Sequence, residues 1–129
     1  MNTHIYQFVM EGKIAASGNV QYLLDDTGSR TDVPSWCYNS MFKGCTSLTQ
    51  APALLATTLA DSCYSDMFNS CTSLTQAPAL PATTLANNCY INMFYDCSKF
   101  SECHMKASMK GVYNKSTHGD TKKTVIYDL

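Results

Sequence analysis

The sequence predicts an α/β solenoid, a right-handed stack of units that each contain one helix and short parallel strands. One segment occurs twice in nearly identical form, and a third copy stops halfway. The three copies are CYNSMFKGCTSLTQAPALLATTLADS from Cys37, CYSDMFNSCTSLTQAPALPATTLANN from Cys63 and CYINMFYDCSKF from Cys89. One copy has too few apolar residues to offset the entropy of ordering its backbone, so the copies are expected to stack on one another.

The first half of each copy predicts a helix. In the second copy, apolar residues recur at helical spacing, at Cys63, Met67, Phe68, Cys71 and Leu74. Two residues before each leading cysteine stands a residue type that caps helix N-termini, at Ser35, Asp61 and Asn87. We therefore expect three helices that pack through their Met and Phe side chains.

The second half of each copy predicts short extended segments. Strands are expected near residues 48–51 and 74–77, with further extended chain near 57–60 and 83–86. Pro78 and Pro81 exclude a continuing helix, and a proline cannot donate to a strand ladder. Stacking in register would place Gln50 on Gln76.

The chain is predicted to form one domain, residues 1–129, in three parts. Residues 1–34 form an N-terminal cap with a degenerate repeat, residues 35–100 form the 26-residue repeats, and residues 101–129 form a C-terminal cap. One period before Leu59 and Leu48 stand Val33 and Tyr22, which indicates the degenerate copy. The closing KKTVIYDL alternates and predicts a final strand over the edge of the stack.

Charge separates the repeats from the C-terminal tail. Residues 1–98 contain three basic and seven acidic residues, whereas residues 99–129 contain six lysines and three acidic residues. The tail has no arginine and no nucleic-acid-binding module, so a nucleic-acid partner is not expected. No apolar segment is long enough to span a membrane, and MNTHIYQFVMEGK lacks the pattern of a secretion signal, so we expect no membrane contact and a cytoplasmic location.

The seven cysteines are predicted to be free thiols. Six recur at two repeat positions, at Cys37, Cys63 and Cys89 and at Cys45, Cys71 and Cys97. Eight residues along a helix, or the distance between two stacked helices, exceed the reach of a disulfide, so these thiols should pack as small hydrophobic groups. No C-x-x-C pair suggests a zinc site, and we expect neither metal nor cofactor. Free thiols fit a reducing compartment.

The pattern CYxxMFxxCTSLTxAPxLPATTLA resembles the 26-residue repeat of bacterial leucine-rich-repeat surface proteins, the BspA-like group, which occurs in bacteria and in their phages and prophages. The likeness covers residues 35–100. It implies a leucine-rich-repeat-like stack with helices on one face, capped at both ends. It also implies binding to proteins or host surfaces without catalysis, and a location at the cell surface.

No catalytic residues are expected. The three histidines, His4, His104 and His118, lie outside the intact copies. The sequence has no G-x-S-x-G segment and no glycine-rich phosphate loop. Cys103 beside His104 is the one neighbouring pair of reactive types, and adjacent side chains usually point apart. The chain is therefore predicted not to be an enzyme.

The residues that differ between copies are predicted to contact a partner. They lie on the outer face of the predicted helices, where packing constrains them least, and the candidate partner-binding residues are Asp66, Asn69, Asn92, Tyr95 and Asp96. The predicted function is a non-catalytic leucine-rich-repeat protein-binding module. The alternative is a small phage- or prophage-encoded inhibitor of a host intracellular protein, such as a defence nuclease. Open solenoid edges would also allow a homodimer.

Overall fold

The computed structural model describes residues 12–106 and 124–127. Its regular elements are β1 (Ile14–Ala15), a 3₁₀ helix (Val20–Leu23), β2 (Leu48–Gln50), β3 (Glu102–Met105) and β4 (Thr124–Tyr127). Strands β1 and β2 form one parallel pair, and β3 and β4 form another. No α-helix occurs in the described ranges, so the predicted α/β solenoid of helix and strand, and with it the leucine-rich-repeat architecture, is wrong.

The three segments predicted to be helices are runs of linked β-turns. They span residues 35–45, 61–71 and 87–97 and are termed the first, second and third turn segments. In each, alternate N–H groups donate to the carbonyl three residues earlier, as from Met41 to Tyr38 (3.2 Å) and from Cys45 to Phe42 (3.0 Å). That hydrogen bond closes a β-turn, whereas an α-helix joins residues four apart.

Every fourth residue of a turn segment has a positive φ. The values lie between 53° and 74° at Trp36, Ser40, Gly44, Ser62, Asp66, Ser70, Asn88, Asn92 and Asp96. A positive φ at the third residue of a turn belongs to type II geometry, so type II turns recur along the segment. Because a left-handed residue cannot continue a right-handed helix, these positions are the physical reason why the helix prediction fails.

The other N–H groups of a turn segment connect one copy to the next. Tyr38 donates to the carbonyl of Cys63 (2.9 Å) and Phe42 to that of Met67 (2.9 Å), and Tyr64 donates to Cys89 (3.0 Å). Five such bonds join the first and second turn segments, and five join the second and third. Equivalent residues of neighbouring copies therefore lie side by side in parallel register.

Aromatic side chains form two rows through the core. The rings of Tyr38, Tyr64 and Tyr90 are 5.9 and 6.0 Å apart, and those of Phe42, Phe68 and Phe94 are 5.5 and 6.0 Å apart. Neighbouring rings in a row are within 13° of parallel. Phe100 closes the Phe row edge-on at 5.4 Å. Buried Cys and Met side chains of the three copies complete the core.

The strand predictions hold in part. Strand β2 confirms the one expected near residues 48–51, and β4 confirms the final strand, which pairs with β3 from Thr124 beside Glu102 to Tyr127 beside Met105. Residues 74–77 do not form a strand, and the segments near 57–60 and 83–86 meet at one bridge, between Thr58 and Thr84.

The register of the N-terminal flank differs from the expected one. Asp32 lies beside Thr58, one repeat period along the chain, as expected. Leu48 lies beside Ile14 and Ala53 beside Asn19, and both pairs are separated by more than one period. The extra residues include the 3₁₀ helix, whose first turn is capped by Asn19, and they leave Tyr22 59% exposed instead of beside Leu48.

Candidate functional site

The structure brings the five predicted partner-binding residues together. They are termed the variable face: Asp66, Asn69, Asn92, Tyr95 and Asp96. The N–H of Asp66 donates to the carbonyl of Ile91 (2.9 Å), and that of Ser70 donates to Tyr95 (2.7 Å). This register sets Asn92 beside Asp66 and Tyr95 beside Asn69. The face thus runs across the second and third turn segments.

Two members of the variable face also hydrogen-bond within their own turn segment. The Asp66 carboxylate accepts from Asn69 Nδ2 (2.8 Å) and from Ser65 Oγ (3.2 Å), and Asn69 Oδ1 accepts from Ser70 Oγ (2.8 Å). Asn69 is 9% exposed, which differs from the outer position expected of it. Its side chain therefore orders the turn segment and offers a partner little surface.

Backbone geometry explains much of the sequence variation on this face. Asp66, Asn92 and Asp96 have φ values of 56°, 53° and 59°. Asn and Asp tolerate this conformation better than most residues. Their exchange with Ser and Gly between copies follows from the backbone alone, so variation at these three positions is not by itself evidence of a contact.

Tyr95 is the member of the face that the backbone does not account for. It is 51% exposed, it is absent from the residues with positive φ, and it occupies the position of Lys43 and Asn69 in the other copies. Asp96 next to it is exposed as well. An exposed phenol beside a carboxylate can accept and donate hydrogen bonds and can cover apolar surface on a partner.

A second feature, which the sequence reasoning missed, is an open groove between the first and second copies. Its volume is about 600 Å³. It is lined by Thr49, Gln50 and Ala51 of the first copy and by Thr75, Gln76, Ala77, Pro78 and Ala79 of the second. Stacking in register was expected to place Gln50 on Gln76, and both residues line the groove. Proline, which cannot donate to a ladder, was expected to keep any strand here short, but a groove between the two copies was not predicted.

All seven cysteines are free, and all except the half-buried Cys37 are buried. Burial raises the pKa of the Cys63 thiol to about 12 and raises that of Cys71 as well. The thiol of Cys71 donates to the carbonyl of Phe42 (3.1 Å), and that of Cys97 donates to Phe68 (3.0 Å). Neutral thiols of this kind react slowly with oxidants and electrophiles.

Among the described residues, His104 is the histidine whose surroundings are known. His104 Nε2 lies 3.9 Å from Glu102 Oε1 on β3, and both side chains are exposed, while neighbouring Cys103 is buried. His4 and His118 lie outside the described residues. Within residues 12–106 and 124–127, no three His, Cys, Asp or Glu side chains are grouped so as to hold a metal ion. The same ranges contain no helix with the length and apolarity needed to cross a bilayer.

No protein-family model matches the sequence, no curated protein matches it, and no solved structure matches the fold. The resemblance to the BspA-like repeat therefore stays a prediction from the repeat pattern. The homodimer also stays a prediction.

Proposed function

We propose that this chain is a non-catalytic protein-binding module that contacts its partner through the variable face. The observation that carries the proposal is the exposed Tyr95 on a turn segment whose backbone is hydrogen-bonded to the copy beside it. Tyrosine adds a large contact area and loses little side-chain entropy on binding. A rigid frame lowers the entropic cost of binding further.

The charge of the repeats favours a basic partner. No lysine or arginine occurs between Lys43 and Lys99, whereas Asp61, Asp66 and Asp96 are acidic. Asp96 is exposed beside Tyr95, and Asp66 is half-buried one copy away. Opposite charge on a partner would speed association and fix its orientation, so binding should weaken as salt concentration rises.

The test is capture of partners from a bacterial lysate with the tagged chain and with a triple variant. The variant carries Asp66→Asn, Tyr95→Ser and Asp96→Asn, because Asn tolerates the positive φ and keeps an oxygen to accept from Asn69. The wild-type chain should retain one stoichiometric protein that the variant loses, with an unchanged thermal midpoint.

A matched control replaces an exposed tyrosine and an exposed carboxylate elsewhere, by Tyr22→Ser and Asp26→Asn. This control should retain the partner. Loss of the partner from both variants, or from neither, would count against the variable face. A captured intracellular enzyme whose activity falls on binding would favour the phage- or prophage-encoded inhibitor over a general binding module.

We further propose that the chain works in a reducing compartment such as the cytoplasm. The support is the set of seven free cysteines, among them Cys37, which is half-buried and thus reachable by oxidants. Protein isolated from its own cells without reductant, then unfolded and alkylated, should carry seven modified cysteines. A smaller number that rises after reduction would contradict this location.

A further inference from the structure

The first and second copies separate within a segment where their sequences are identical. Both contain SLTQAPAL, at residues 47–54 and 73–80. The N–H of Thr75 donates to the carbonyl of Thr49 (3.4 Å), and the Thr75 hydroxyl donates to the same carbonyl (3.3 Å). The copies meet again at Thr83, whose N–H donates to Thr57 (3.0 Å). The groove lies between these two contacts.

Several residues that line the groove have backbone groups without a hydrogen-bond partner in the described structure. In the described part of the chain, the N–H and carbonyl groups of Gln76, Ala77 and Ala79 make no hydrogen bond to protein, and neither do those of Ala51 on the facing wall. Leu80, the residue after Ala79, pairs with β3 and not with the first copy. Its N–H donates to the carbonyl of His104 (3.0 Å). Donors and acceptors that have no partner in the protein are available to the backbone of an extended peptide.

We propose that this groove binds an extended, uncharged peptide segment whose backbone pairs with Gln76, Ala77 and Ala79 and with Ala51. Five extended residues span about 16 Å at roughly 3.3 Å per residue. The volume of about 600 Å³ lies within the range of ~300–1,000 Å³ usual for ligand sites. The side chains that line the groove carry no charge, so a charged residue would lose hydration there without gaining a counter-ion.

The groove site and the variable face are independent. The groove belongs to the second halves of the first two copies, whereas the variable face belongs to the second and third turn segments. Peptide binding in the groove can therefore be measured in the triple variant of the variable face, where it should be unchanged. A negative result for one site therefore does not contradict the other proposal.

The first experiment is a titration of the ¹⁵N-labelled full chain with the acetylated and amidated peptide SLTQA, followed by NMR. This sequence already includes the residues of strand β2. Saturable shifts are expected at the amides of Ala51, Gln76, Ala77 and Ala79. The peptide SLKQA, with Lys in place of Thr, should bind at least tenfold more weakly. Absence of saturable shifts at millimolar SLTQA, or equal binding of SLKQA, would overturn the proposal.

Substitutions then locate the site. Ala79→Trp fills the groove from an exposed position, and Ala79→Pro removes one N–H that makes no native hydrogen bond. Each should weaken SLTQA binding at least tenfold. The matched control is Ala53→Trp, because Ala53 holds the same place in the first copy, is exposed, and lies outside the groove lining. Equal weakening by Ala53→Trp, or no weakening by either Ala79 variant, would overturn the assignment.

Discussion

Tyr38 and Tyr64 occupy equivalent positions in two copies, but their hydroxyl groups have different surroundings. The Tyr38 hydroxyl donates to the carbonyl of Val20 (2.9 Å). The Tyr64 hydroxyl is buried and has no hydrogen-bond partner in the described structure. Burial raises the pKa of both hydroxyls. The tyrosine at this repeat position therefore stabilises the first copy through a hydrogen bond, whereas in the second copy its hydroxyl is an unsatisfied buried polar group.

The two tyrosines should respond differently to removal of the hydroxyl. Tyr38→Phe should lower the free energy of unfolding by about 1 kcal/mol, the usual net value of a hydrogen bond. Tyr64→Phe should leave it unchanged or raise it by up to about 1–3 kcal/mol, since an unpaired buried hydroxyl is removed. Urea denaturation of both variants measures the difference. An equal loss of stability in both would mean that the Tyr64 hydroxyl has a partner.

Burial of Cys63 predicts a loss of stability at alkaline pH. Burial raises the pKa of its thiol from 9.0 to about 12, so between these values the unfolded chain releases a proton that the folded chain keeps. The contribution of this thiol to the free energy of unfolding should therefore be constant below about pH 8 and fall above pH 9, by about 1.4 kcal/mol per pH unit. In Cys63→Ala, the free energy of unfolding should fall less steeply with pH, by the contribution of one proton. An unchanged slope would contradict a buried neutral thiol.

At the scale of one element, the turn segment imitates a helix in sequence. Two linked turns take four residues, so the buried side chains recur at i, i+1, i+4 and i+5, as in the second copy. These side chains are Cys63, Tyr64, Met67 and Phe68. An amphipathic helix gives nearly the same spacing. The difference lies in the residues between, because each turn segment needs a left-handed residue at every fourth position.

Substitutions at Ser40 distinguish the turn segment from a helix. Ser40 has a φ of 58°, and its hydroxyl donates to Asn39 Oδ1 (2.9 Å). Both Ser40→Asn and Ser40→Val remove that hydroxyl, but only Asn accepts a positive φ readily. Ser40→Val should therefore be about 1–2 kcal/mol less stable than Ser40→Asn. Helix propensity ranks Val and Asn alike, so equal stability of the two variants would favour a helix.

The sequence could predict the repeat, the core residues and part of the strands, but not the main element. Period, buried Met and Phe positions and the final strand all follow from local patterns. Ser, Gly, Asp and Asn at positions 40, 44, 66, 70, 92 and 96 were available as a clue to left-handed geometry. Trp36 also has a positive φ, although tryptophan is not a residue type that indicates this conformation. Proline limits the pairing between the two identical segments, but the groove depends on how far those segments separate, which no local pattern encodes.

At the scale of the whole molecule, hydrogen bonds between copies replace those that a helix would form within itself. Each junction between two turn segments has five backbone hydrogen bonds and two stacked ring pairs, so a copy is held by its neighbours. Stability should then depend on the number of junctions and on the register between copies.

Removal of one whole copy tests this dependence. Deletion of residues 63–88 joins Ser62 to Cys89 and brings the first copy against the third in the same register. The shortened chain should unfold cooperatively at a lower temperature, because one junction is lost. Deletion of residues 63–75, half as long, removes a turn segment and leaves half a copy behind, and this chain should not fold. Calorimetry measures the unfolding transition of each chain. A higher unfolding temperature for the 63–75 deletion than for the 63–88 deletion would contradict the account.

The hydrogen bonds themselves provide the most direct test of the turn segments. Scalar couplings across hydrogen bonds, measured by NMR on the ¹³C,¹⁵N-labelled chain, identify the carbonyl that accepts from each N–H. The structure predicts couplings from Tyr38 to Cys63 and from Phe42 to Met67, each of which joins the first copy to the second. A coupling from the N–H of Phe42 to the carbonyl of Tyr38, four residues earlier, would show an α-helix and contradict the linked turns.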